Sequence, residues 1–179
     1  MVTPKESEAL EELKKYASLF PKAWRNFLKR IEKGEIFVPE NEAELRCFLF
    51  SECLSMMHKK KFPMRYQITA EDKEILDGKR ADLTLGLLPD GRFVIIEMKH
   101  FPNVNSIKKD IKKLRQFIKS HVIYGFFAMI GNSEYAYEQK VNLESLGIKR
   151  AGKESFYEWH TLKPPFLDIS LETLIVGLT

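Results

Sequence analysis

The chain has 179 residues, 44% of them hydrophobic, and a formal net charge of +4. That length fits one domain and excludes a second of full size, and the apolar fraction suffices to bury a core without disulfides or metal staples. No apolar run approaches the roughly 18 residues of a membrane helix, and the charged opening MVTPKESEALEELKK is unlike a signal peptide. The expectation is therefore a cytoplasmic protein with no membrane partner.

In chain order, residues 3–20 and 22–33 show helical periodicity on either side of Pro21. Trp24, Phe27, Leu28 and Ile31 form the apolar stripe of the second segment. Residues 1–38 are read as an N-terminal helical cap and 39–179 as the core of one compact domain. After Gly34 and Pro39, Asn41 can cap a third helix, with Glu44 at the capping-box position and an end near His58. Leu45, Cys47, Phe48, Leu49, Phe50, Cys53, Leu54, Met56 and Met57 cover most of its circumference, which predicts a central, buried helix. Cys47 and Cys53 fit neither a zinc pattern nor a disulfide and are read as buried thiols.

A first strand is expected over Pro63 to Thr69, then a charged loop from Glu71 to Gly78, then two strands joined at Pro89-Asp90-Gly91. The first of these begins at Asp82. The second is the apolar run Phe93-Val94-Ile95-Ile96 leading into Glu97-Met98-Lys99. Next, Ile107, Ile111, Leu114 and Ile118 recur at helical spacing, leaving Lys108, Lys112, Arg115 and Lys119 along one exposed row with Lys109, Lys113 and Gln116 beside it. Residues 121–130 form a buried strand, Tyr135 to Leu146 a helix closed by Gly147, and Phe156 to Leu162 a last strand. The tail beyond Pro164-Pro165 is apolar and receives no element. The fold class is α/β, in the order helix, three strands, helix, strand, with a mixed central sheet flanked by helices.

Three charges on two short apolar strands require a use. Strand side chains alternate, so Glu97 and Lys99 share one face of the sheet. A two-residue loop at Pro89-Asp90 would set Asp82 opposite Glu97 on that face, whereas a three-residue turn would oppose Asp82 to Met98 and turn the carboxylates apart. Paired carboxylates are hard oxygen ligands that gather a divalent cation, and a lysine beside them suits hydrolysis of a phosphodiester. From Val104 to Ser120, six basic residues stand against Asp110 alone. A basic face so concentrated is the footprint of phosphate neutralisation, and it is also compatible with a solvated helix face.

Asp82, fourteen intervening residues, then Glu97-Met98-Lys99 resembles the PD-(D/E)XK nuclease superfamily. That resemblance implies a restriction-endonuclease-like, Holliday-junction-resolvase-like αβββαβ core and a metal-dependent endonuclease acting on DNA. It implies Mg²⁺ or Mn²⁺ held by Asp82, Glu97 and the Met98 main-chain carbonyl. Lys99 would either orient and help deprotonate the attacking water or stabilise developing negative charge. Members commonly add a glutamate from the helix before the sheet. Glu44 matches that position, with helix capping as its other reading and Glu42 as a substitute. Lys108, Lys112, Lys113 and Arg115 become candidate backbone contacts. Gln116 matches a glutamine of RecB-like members, although Ser120 stands where those carry tyrosine. His100 is the one histidine placed for a phosphate contact. Without a helix-turn-helix or zinc module, recognition by DNA shape is expected, and a homodimer could cut both strands. The alternative is a nucleic-acid-binding or assembly module on the same fold without chemistry. An accidental match would leave Asp82 and Glu97 far apart.

Overall fold

The computed structural model describes residue 11 and residues 16–62, 66–72, 81–87, 92–118, 122–150 and 155–179. Most of the helix expected over residues 3–20 and the turn at Pro89-Asp90-Gly91 lie outside these. Among the described residues the elements are α1 (Leu19–Glu32), α2 (Glu42–Lys59), β1 (Tyr66–Asp72), β2 (Ala81–Leu87), β3 (Arg92–His100), α3 (Val104–Phe117), β4 (Val122–Asn132), α4 (Tyr137–Val141), β5 (Ser155–Leu162) and β6 (Leu171–Leu178). The fold is α/β with one six-stranded mixed sheet in the order β1-β2-β3-β4-β6-β5. β1, β2 and β3 form an antiparallel meander. α3 then crosses over to β4, which runs parallel to β3.

Two layers of helix cover the sheet. On one face Leu83, Leu85, Val94, Ile96, Met98, Phe126 and Ile130 pack against Phe20, Trp24 and Phe27 of α1 and Leu45, Leu49 and Cys53 of α2. On the other, Ile95, Phe127, Met129, Leu174 and Val176 meet Ile107, Ile111 and Leu114 of α3 and Tyr137 and Val141 of α4. β3 is therefore buried on both sides from Val94 to Met98, which explains its unbroken apolar run.

Several expectations are corrected. The break between the two N-terminal helical stretches falls at Ser18 rather than at Pro21, which occupies the first turn of α1, where its missing N–H has no intrahelical acceptor to lose. α2 is not buried all round. Leu45, Leu49 and Cys53 form its buried line, Leu54 is 43% exposed, and Cys47 is exposed rather than buried. The helix expected over Tyr135–Leu146 breaks into a 3₁₀ turn, the five-residue α4 and a second 3₁₀ turn, because Ala136 and Asn142 take left-handed backbone angles. The tail contains β6, which pairs with both β4 and β5.

Candidate active site

The pairing of β2 with β3 runs from Leu87 opposite Arg92 to Leu83 opposite Ile96. One step further brings Asp82 opposite Glu97, the register the hypothesis requires. There the ladder changes character: the Met98 N–H donates to the Asp82 Oδ2 at 2.6 Å. Glu97 and Lys99 follow Ile95 onto the α3 face. The start of α2 reaches the same end of the strands, bringing Glu42 and Arg46, and the middle of α3 brings Asp110 and Lys113.

The result is a half-buried cluster of both signs. Arg46 Nη1 lies 3.1 Å from Asp82 Oδ1, with the two side chains 18% and 11% exposed. Lys113 Nζ donates to Glu97 Oε1 at 2.9 Å. The Lys99 ammonium sits between Glu42, at 3.2 Å, and Asp110, at 3.8 Å. Asp110 Oδ2 is buried; among the described residues it accepts no hydrogen bond, and its charge is met by the Lys99 ammonium.

Titration follows from this crowding. Burial drives the Glu97 carboxyl up to about 7; Lys113 opposes the shift, while Asp82 and Asp110 add to it. Burial also raises Asp82, against the pull of the Met98 N–H, Lys99 and Arg46. For Lys99 burial alone would lower the pKa, but Glu42, Asp110 and Asp82 outweigh it and hold the ammonium above the usual lysine range.

Asp82, Glu97, Met98 and Lys99 are thus brought together. Glu44 is a correction: its Oε2 accepts the Glu40 N–H and its own N–H donates to Asn41, so it serves the start of α2, while Glu42 meets Lys99. Two residues apart on a helix is about 200°, and the capping box claims Glu44. Lys108, Lys109, Lys112, Lys113, Asn105, Gln116 and the single acid Asp110 line an open groove of about 820 Å³ along α3. Lys113 is turned inward rather than standing with the exposed set, and Arg115 lies beyond the groove lining, beside Gly147. His100 does not enter the cluster; its Nε2 is 2.8 Å from the Pro39 carbonyl oxygen. Sequence reasoning named Glu42 only as a substitute for Glu44, and it missed Asp110 and Arg46 as members. The only available signal for Asp110 was a lone acid on a basic helix.

Among the described residues no three His, Cys, Asp or Glu side chains are arranged to hold a metal as they stand. The donor chemistry nevertheless suits a hard cation, since Asp82 and Glu97 are adjacent, desolvated carboxylates whose ion-pair partners among the described residues are the movable side chains Arg46 and Lys113. Among the described residues no helix is long and apolar enough to cross a membrane. No family model, curated protein or solved structure matches the chain.

Proposed function

We propose that this protein is a metal-dependent nuclease that hydrolyses phosphodiester bonds of DNA, on a restriction-endonuclease-like core of the PD-(D/E)XK type. The observation that carries the reading is the register of β2 on β3, which sets Asp82 and Glu97 opposite each other with Lys99 on the same face. Asp82 and Glu97 would hold Mg²⁺ or Mn²⁺. Met98 would add its carbonyl, which in an extended strand lies on the same side as the N–H already bound to Asp82. A divalent cation bound there supplies neutralisation of transition-state charge and a more acidic water. Lys99, held between Glu42 and Asp110, would orient the attacking water and stabilise the oxygen that gains charge. Lys108, Lys112 and Gln116 carry the DNA backbone along the α3 groove toward these groups.

A second reading has its own support. Asp82 is already paired with Arg46, Glu97 with Lys113, and Lys99 with Glu42, so the same cluster can stand as a self-neutralised structural network in a DNA-binding module. A cleavage screen over single-stranded, duplex, flapped and branched DNA with Mg²⁺ or Mn²⁺ separates the two. Cleavage by the parent that disappears in Asp82→Ala, Glu97→Ala and Lys99→Ala, each still folded, is the expected result. DNA binding without cleavage of any substrate would leave the binding module as the answer.

A further inference from the structure

Lys113 occupies both of the places that matter to a nuclease. It lines the basic groove of α3, and its ammonium also reaches Glu97, whose side chain is only 6% exposed. Its groove neighbours differ: among the described residues no carboxylate partner is found for Lys108, Lys109 or Lys112. The other counterion, Arg46, comes from α2 and does not line the groove. We infer that Lys113 is an exchangeable counterion, neutralising Glu97 in the absence of metal and passing to a DNA phosphate when a divalent cation takes the carboxylate.

The inference rests on the proposed metal site and adds a rule for how it fills. A buried carboxylate keeps a cation near it, because an unpaired buried charge is too costly. An ammonium at 2.9 Å and a divalent ion cannot share one such oxygen without strong repulsion. Metal entry therefore expels Lys113, and the four-carbon stem of lysine lets the ammonium swing while α3 stays in place. The groove is where the released charge arrives. Metal raises DNA affinity through one additional phosphate contact, and by linkage DNA raises metal affinity by the same factor.

The test uses the full chain carrying Lys99→Ala, so that DNA stays intact. Mn²⁺ affinity is read by calorimetry with and without a DNA duplex, and DNA affinity by fluorescence anisotropy across a salt series. In this background Mn²⁺ should tighten DNA binding roughly tenfold more than it does in the further variant Lys113→Gln, and steepen the salt dependence by about 0.9 more. Lys113→Gln should bind Mn²⁺ more tightly than the background when DNA is absent. Lys109→Gln should weaken DNA binding equally with and without Mn²⁺ and keep the coupling. Lys113→Arg, which holds the carboxylate more firmly, should weaken Mn²⁺ binding and keep the coupling. Unchanged coupling in Lys113→Gln, or unchanged Mn²⁺ affinity in Lys113→Arg, overturns the exchange. If Asp82→Ala leaves Mn²⁺ affinity intact, the metal site itself is refuted and the exchange with it. Loss of Mn²⁺ in Asp82→Ala beside unchanged coupling in Lys113→Gln removes the exchange alone.

Discussion

Glu97 shows what burying a carboxylate costs a fold. Its carboxyl titrates near 7 in the folded protein, against an ordinary 4.5. The folded-state pKa is raised, so the stability tied to the protonated form is complete below 4.5 and is lost as pH rises through 7. Glu97→Gln removes that loss: the variant should melt higher than the parent at about pH 8, by on the order of 2–3 kcal/mol, with the gap closing toward about pH 5. Thermal denaturation in chelator at the two pH values checks this. Asp110 stands on the other side of Lys99 and also lines the α3 groove. Asp110→Asn should tighten DNA binding, since it removes the carboxylate of the groove lining, yet lower single-turnover cleavage roughly tenfold, because one of the two anchors of the ammonium is gone. Restoration by Asp110→Glu would mark a positioning role. The three motif residues were legible because strand alternation needs no tertiary information. Asp110 and Arg46 were not, because their relevance depends on where two helices cross the sheet end, which no local pattern records.

At the scale of elements, α3 is the piece on which both the groove and the cluster depend, and its start is fixed from outside. Asn103 caps it by accepting the Ser106 N–H at 2.8 Å, and the preceding carbonyl, Pro102, accepts the buried Tyr137 hydroxyl at 2.7 Å. Tyr137 belongs to α4, whose backbone N–H at the same residue donates to Glu172 of β6. Tyr137→Phe leaves the Pro102 carbonyl without its donor and should cost about 1–2 kcal/mol, read by denaturant unfolding, with weaker DNA binding because the basic helix starts less firmly. The ring is also why residue 131 is glycine: a Cβ there would come within 2.3 Å of it. α3 itself was readable from its sequence, since four apolar residues at helical spacing with lysines between them allow little else. The α4 region was not. Tyr137 and Val141 satisfy helical spacing, and nothing local announces that Ala136 and Asn142 adopt left-handed angles to fit the strap over the sheet. Pro21 marked the neighbouring break but not its exact place, because proline is tolerated in the first turn of the helix that follows.

For the whole molecule, charge and topology divide the labour. The net charge of +4 is less than the excess carried by the α3 region, so the rest of the chain carries a small net negative charge, with a second basic cluster at Lys59-Lys60-Lys61. Topology depends on β6, the strand that was not legible. Leu174-Ile175-Val176 is an ordinary apolar run with two β-branched residues, but a short apolar segment at the end of a chain has no partner visible in the sequence. In the structure it fills the gap between β4 and β5, and its residues from Thr173 to Leu178 are buried. A chain ending at Lys163 should consequently fail to fold cooperatively, seen as loss of a sharp thermal transition, since one whole side of β4 would lie open. This has a bearing on how the protein is made. The hairpin with its acids and the lysine-rich helix leave the ribosome well before the strand that seals the sheet, so cutting power should arise late, after synthesis has passed β6. A half-made chain would then already attract nucleic acid while remaining harmless to it.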